Sequence, residues 1–594
     1  MAEKIVRIGG ASAFWGDSGV AAPQLVRRAK VDYLMFDFLA EVTISIMVNA
    51  RRRDPTKGYA GDFVTVAMAQ VLREVKQQGI KVVTNAGGMN PQGCVDALKA
   101  LAAEQGVDVK IACVEGDDLL PQVESLRDAK EMFSGAAMPE TIVSINAYLG
   151  ALPIARALAA GADIVITGRC ADSSMALGPL IHEFGWASDD WDRLSAGTLV
   201  GHILECGAQA TGGLHTDWEK VERWDDIGYP IAECKADGSF VVTKADGTGG
   251  LVTPATVGEQ LLYEIGDPAA YIVPDVVCDF RDVRIAQVGK DRVEVKGARG
   301  RPTSATYKVS ATYTDGWRAF GNLTVVGIDA AKKAQRTAEA ILARTRTMFR
   351  DLNVGDYTET SIEILGAEQQ YGPHARVTDA REVVMKLGVR HVDRRALEIF
   401  AREISPAGTS WSPGTTGNFG GGRPDPAPVV RLFSFLVDKD AANVSVAMDG
   451  ERIPVDIPRG QAILIPAVPL TPAEPTYAGA NDLAAPTRLI DLVWARSGDK
   501  GDSANIGIIA RDPALMGVLR AELTAERVRT YFAHLVDGDV TRFDLPGFNA
   551  MNFLMTRALG GGGAASLRND PLAKGFAQML LDLEISVPSN LAMR

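Results

Sequence analysis

The chain has 594 residues, too many for one hydrophobic core, and implies two to four domains. Apolar residues make up 46% and charged residues 23%, which excludes a mostly disordered chain. With 74 acids against 62 bases the net charge is −12, which argues against nucleic-acid binding and leaves open a local basic patch for an anionic small molecule.

Met1 to Lys4 lead straight into a strand-like run with no secretory apolar region, and no window approaches a membrane span. The six cysteines (94, 113, 170, 206, 234 and 278) lie in apolar stretches without short zinc spacing. They read as buried thiols, and a cytoplasmic location is expected.

The first 170 residues repeat one theme: an apolar run, a Gly- or Asp-rich loop, then a helical stretch. The runs are Ile5 to Ile8, Tyr33 to Phe38, Ile80 to Thr84, Val109 to Val114 and Asp163 to Thr167. Strands alternating with helices predict an α/β fold with a doubly wound, mostly parallel sheet over about 1–210. Ligands of such sheets bind beyond the carboxyl ends of the strands, so the loops there are the candidates.

The first loop carries Gly9, Gly10, Asp17 and Ser18. Its glycines permit close backbone approach to an anion, and Asp17 or Ser18 can cap the next helix. The spacing is neither GxGxxG nor a Walker loop, so a tight turn is the plain alternative. The second loop holds Asp37 and Glu41, of which Glu41 is taken as a candidate acid or base. A cap or a partner for Arg51 to Arg53 is the alternative. In Asn85-Ala-Gly-Gly-Met-Asn90-Pro91, Asn90 reads as a helix cap and Asn85 as a crevice residue. Glu115-Gly-Asp117-Asp118 is acidic and reads as capping more than metal binding, and no metal site is assigned. In Thr167-Gly168-Arg169-Cys170-Ala171-Asp172-Ser173-Ser174, Arg169 offers a fork for carboxylate or phosphate, Ser173 adds a helix N-terminus, and Asp172 can orient Arg169 or act as a base. A structural Arg–Asp pair is the alternative. His202, Glu205 and Cys206 share a helix face, which makes Glu205 the third candidate carboxylate. Gly249, in the run 246–260, either cradles phosphate or turns the chain.

From 211 to 465 the texture becomes mixed and β-rich. Strands are expected at Arg292 to Lys296, Ala305 to Tyr313, Leu323 to Val326, Val429 to Val437 and Ala442 to Met448. Helices are expected at Ala330 to Leu352 and Arg394 to Arg402, and a Gly/Pro loop at 410–428. A Pro-rich linker covers 466–486. Residues 487–594 then read as a small α+β domain of ferredoxin-like type, with helices expected at Pro513–Phe532, Asn549–Leu559 and Pro571–Leu583. Its two dense loops hold Arg496 and Lys500, and Arg557, the run Gly560–Gly563 with Gly561, and Arg568. Four successive glycines lose much conformational entropy on ordering, so a close approach and an anion are expected there.

These two loops, with FDFLAEVT, NAGGMNP, ITGRCADSSMALGP and GTGGLVTPATVGEQLLYEIGDP, resemble the acyclic terpene utilisation family over the whole chain. Residues 1–465 resemble its large domain and 487–594 the ferredoxin-fold domain fused to it. The resemblance implies a place in bacterial breakdown of acyclic terpenes through CoA thioesters, and carries over no functional residue by position. The expectation is an enzyme of acyclic terpene or branched-chain acid catabolism, of hydratase or lyase type, acting on acyl-CoA by acid/base chemistry. Coenzyme A would enter as part of the substrate, with no tightly bound cofactor. The other reading is a non-catalytic accessory or scaffolding protein. Partners are expected to be a small acyl-CoA or carboxylate ligand and further copies of the chain, not nucleic acid or membrane.

Overall fold

The apolar runs of the N-terminal part become strands β1 (Ile5–Ser12), β2 (Tyr33–Phe36), β3 (Lys81–Thr84), β4 (Ile111–Glu115) and β6 (Ile164–Thr167). They lie in the order β1-β2-β3-β6-β4, all parallel, in a computed structural model that describes residues 4–418, 422–463, 483–563, 565–588 and 591. Their side chains are buried on both faces, as unbroken apolar strands require. One face packs on α1 (Ala21–Arg28), α3 (Ala69–Gln78) and α4 (Pro91–Gln105), and the other on α5 (Leu152–Ala159), α6 (Ser174–Phe184) and α7 (Trp191–Leu204). The short α2 (Glu41–Arg53) follows β2 at the carboxyl end. Asn90 caps α4 by accepting from the Gly93 amide at 3.2 Å, with Pro91 in the first turn, as its sequence predicts. Asp17 and Ser18 do not cap α1. Asp17 instead braces its own loop through the Ala13 and Ser18 amides.

The sheet is mixed, which corrects the expectation of a mostly parallel one. β7 (Pro230–Lys235) adds antiparallel to β1, followed by β8 (Phe240–Lys244) and the hairpin of Arg284–Gly289 and Arg292–Lys296. On the other edge, Ser445–Met448 pairs antiparallel with β4 and then with Glu451–Pro454. Of the ten pairings in this eleven-stranded sheet, four are parallel. The reason is edge satisfaction: parallel strands leave open edges, and hairpins from later sequence cover both.

A second sheet is built on one strand of 21 residues, Thr306–Val326, in which the two runs expected there are fused. It pairs with β5 (Ser144–Ala147), Ala427–Asp438, Glu382–His391 and Thr415–Asn418. The amphipathic helix Ala330–Leu352 and helix Arg394–Ile404 cover this sheet. Thr415–Asn418 falls within the expected Gly/Pro loop, of which 419–421 lie outside the described residues.

Helices and strands mix again in the C-terminal part. Its antiparallel sheet runs in the order Val493–Lys500, Ser503–Ala510, Ala550–Met555, Val540–Leu545. The helix expected over Asn549–Leu559 is therefore a strand, held between two neighbours with nearly every side chain buried. An apolar run this short suits either period, and strand pairing decides it. The helix expected over Pro513–Phe532 is two short helices, Met516–Glu522 and Ala525–Tyr531, and only Phe576–Leu580 of the last is helical. The expected linker lies outside the described residues except from Leu483, which begins a strand paired with Glu584–Pro588.

The C-terminal sheet docks on α8 (Pro254–Leu262), whose Thr253 cap accepts from the Thr256 amide. Asn505 donates to the Leu262 carbonyl at 2.7 Å and accepts from the Glu264 amide at 3.0 Å. Asn552 donates to the Ile265 and Gly266 carbonyls. Two buried asparagines thus satisfy the last carbonyl of α8 and backbone groups of the segment that follows it.

Candidate functional site

The loops at the carboxyl ends of β2, β3, β4 and β6 converge on one buried polar cluster. Asp37 follows β2. Its Oδ1 accepts from Asn85 Nδ2 at 2.7 Å and from the Leu39 amide, while Asn85 accepts from the Phe38 amide at 2.7 Å. Burial, with the charges of Asp172 and Glu205, holds Asp37 well above the usual carboxylate range, against the Asn85 hydrogen bond and the Arg169 charge.

Arg169 follows β6 and is 4% exposed. One guanidinium nitrogen donates to the Leu39 carbonyl at 2.7 Å and to Asp172 at 3.0 Å, and the group lies over the Tyr148 ring. Lys308, on the long strand, covers the same ring, so the second sheet forms one wall of the cluster. Asp117, after β4, holds the turn from behind by accepting from the Arg169 amide at 2.8 Å and from Asn146 at 2.9 Å.

Burial pushes the Asp117 carboxyl up to about 6, against those two hydrogen bonds. The folded state therefore holds a proton that the unfolded chain has released between pH about 4 and about 6. Asp117 favours folding below that window, and the benefit is lost as pH rises through it. Asp117→Asn should gain stability relative to wild type between pH 4 and 7. A denaturation midpoint difference that does not change with pH would refute this.

His202, near the end of α7, and Glu205, just past it, complete the cluster. His202 Nε2 faces the Leu261 carbonyl at 3.0 Å, and Nδ1 faces Glu205 Oε1 at 2.9 Å. A carbonyl only accepts, so Nε2 donates. One proton then lies between Nδ1 and Oε1, either as imidazolium with carboxylate or as imidazole with carboxylic acid. Burial alone would lower His202, but the charge and hydrogen bond of Glu205 outweigh it and raise it. Burial raises Glu205 too, with help from Asp172 and against His202 and Lys500. Glu205 Oε2 is buried and has no hydrogen bond among the described residues. That is an atom equipped to exchange a proton with a ligand.

The structure brings Asn85, Arg169, Asp172 and Glu205 together with Asp37 and His202. Lys500 ends its strand close enough to act on Glu205 and His202, so the C-terminal domain reaches this cluster. Glu41 heads α2, and its side chain lies outside the described residues. Gly10 lies at the rim, where a Cβ would stand 2.6 Å from the Leu204 carbonyl, and Gly9 packs on Leu25. Ser173 is packed at the crossing of α6 and α7 against Gly201.

Five other candidates lie elsewhere. Gly249 is at a backbone crossing with Arg223. Arg496 is at the domain junction, donating to Gln209, to the Gly213 carbonyl and to Glu259 at 3.1 Å. Arg557 donates to the Asp537 carbonyl. Arg568 donates to the Leu535 and Ala558 carbonyls, beside the glycine run. Gly561 donates to Asp502 at 2.8 Å, so the two dense loops of the C-terminal domain pack on each other.

Asp37, His202, Asp117, Tyr148 and Lys308 belong to the cluster beyond the candidates that the sequence singles out. Asp37 was legible as an acid at a strand end, and His202 by its i,i+3 spacing to Glu205. Tyr148 and Lys308 carry no local signal, because only the pairing of β5 with the second sheet brings them in. No group of three or more His, Cys, Asp or Glu among the described residues could hold a metal, and no described helix is long and apolar enough to cross a membrane.

The family model described as acyclic terpene utilisation family protein AtuA matches residues 6–448, and the AtuA ferredoxin-like domain matches 487–586. No curated protein matches the chain.

Proposed function

The chain belongs to the acyclic terpene utilisation family, and from that premise we propose that it is an enzyme of acyclic terpene or branched-chain acid catabolism. It would act on an acyl-CoA thioester or related carboxylic acid by acid/base chemistry, as a hydratase or lyase. The observation that carries this reading is the proton between His202 and Glu205, with Glu205 Oε2 buried and without a hydrogen bond among the described residues, close to Asp172 and Asp37. A buried group that holds a proton, set beside further carboxylates, is suited to proton transfer next to a carbonyl.

In a hydration, a carboxylate such as Asp172 would take a proton from water as the water oxygen bonds to the β-carbon of an unsaturated thioester. The acid of the His202–Glu205 pair would deliver a proton to the α-carbon. Arg169 would stabilise negative charge on the carbonyl oxygen between the two steps. The lyase direction is the reverse.

Purified protein should be incubated with branched α,β-unsaturated acyl-CoAs and the free acids in D2O and followed by NMR. Water addition, or deuterium uptake next to the carbonyl, is the expected result. Neither signal, together with no thermal stabilisation by any acyl-CoA at millimolar concentration, would sink the reading.

A further inference from the structure

The second sheet carries an arrangement of arginines that the crevice chemistry does not use. Glu359, Arg390 and Arg318 stand directly opposite one another on three adjacent strands. Like charges placed opposite each other on a sheet destabilise it. Arg390 is 6% exposed and spends its two terminal nitrogens on Glu359 at 2.9 Å and Asp315 at 2.6 Å, while its Nε has no partner among the described residues. Asp315 is also engaged by Arg431 at 2.5 Å. Arg318 is left with no acidic partner among the described residues. Its one hydrogen bond there is a long one, 3.4 Å, to the Ser566 carbonyl. Burial and the Arg390 charge lower its pKa.

Arg318 and Arg431 both reach the loop that follows Ala550–Met555. Arg318 touches Ser566, and Arg431 Nη1 lies 3.3 Å from where a Cβ on Gly561 would be. Gly560–Gly563 all have positive φ, and a Cβ on Gly562 would stand 2.2 Å from the Gly501 carbonyl. The amides of Gly560, Gly562 and Gly563 donate to no described residue. Two guanidiniums on one side, one of them without a counter-charge, therefore meet a run of backbone with amides to spare. Backbone amides presented by a tight turn can form an anion-binding concavity.

We propose that Arg318, Arg431 and the Gly560–Gly563 backbone bind the phosphate group of an organic phosphate. A divalent anion would supply the missing counter-charge and accept from both guanidiniums and the free amides at once. The inference does not depend on the acid/base reading of the crevice, because none of these residues belongs to the His202–Glu205 cluster.

Titration calorimetry on the full chain with inorganic phosphate, pyrophosphate, coenzyme A and pantetheine tests it. Phosphate-bearing probes should bind and pantetheine should not. Coenzyme A binding more tightly than pyrophosphate would identify the thioester substrate as the phosphate's source, and equal affinities a separate small phosphate. Arg318→Ala and Arg431→Gln should each weaken binding by about 10- to 100-fold. Arg318→Ala should fold at least as stably as wild type, since it removes a like-charge neighbour, so lost binding will not be lost folding. Glu205→Gln should bind phosphate unchanged, which separates this site from the crevice. No binding of any phosphate probe at 10 mM (about the weakest affinity worth calling a site), or binding that survives in the Arg318→Ala, Arg431→Gln double variant, would overturn the proposal.

Discussion

Arg496→Ala should lower the stability of the folded chain by about 3–5 kcal/mol, the usual penalty for leaving a buried charge without its partner. Glu259 is fully buried in α8. It accepts from His215 at 2.9 Å, from Thr216 through both amide and hydroxyl, and from Arg496 at 3.1 Å. Burial alone would raise Glu259, but the hydrogen bonds of His215 and Thr216 and the charges of Arg496 and His215 outweigh it and lower its pKa. A lowered folded pKa means stability that is present above the unfolded value and lost as pH falls through the folded one. The Arg496→Ala penalty should therefore be largest near neutrality and shrink in acid, where Glu259 protonates. Denaturant midpoints at pH 7 and pH 4 measure both parts. A loss below 1 kcal/mol at pH 7 would show that the junction does not depend on this pair (about the value of an exposed bridge).

Glu205→Gln should reduce turnover by about 10²- to 10⁴-fold, the range expected when a positioned acid or base is removed. The amide keeps the shape of the side chain and can still donate to His202 Nδ1. It cannot pass a proton to a ligand through Oε2. Binding should change little, so the loss should fall on kcat and not on KM. His202→Gln should produce a smaller loss with a shifted pH profile, because it removes the partner that shares the proton while leaving the carboxylate. Wild-type turnover in Glu205→Gln would move the chemistry to Asp37 or Asp172.

The strand–loop–helix rhythm of the first 170 residues was legible because apolar runs, Gly-rich loops and caps such as Asn90 are local signals. It pointed to the loops at the strand ends, where the structure brings Arg169, Asp172, Asn85 and Glu205 together. Helix Ala330–Leu352 was legible to the residue, since 23 residues of one period leave no ambiguity. What failed was settled by pairing across long distances. β5 is not among the strands expected from the sequence, and it joins the second sheet and not the first, with Tyr148 just beyond it. Asn549 to Leu559 is apolar enough for either period, and its two strand neighbours decide. Arg496 reads as an anion-binding residue beside a glycine, and only the docking of the domain on α8 gives it Glu259. The family resemblance reached the organisation of the whole chain where no single loop could.

The edges of the first sheet also have a consequence for how the protein is made. Glu115 on β4 is paired by Ser445, and Ile5 on β1 by Lys235. At the pace of a ribosome, roughly 5–20 residues per second, β4 waits tens of seconds for its covering strand. During that time it presents an open, apolar edge of the kind that recruits other chains. The face of α8 that carries Glu259 is covered later in synthesis still, once Arg496 has emerged. The first half of the nascent chain therefore lacks the strand that covers β4 until residue 448 has emerged.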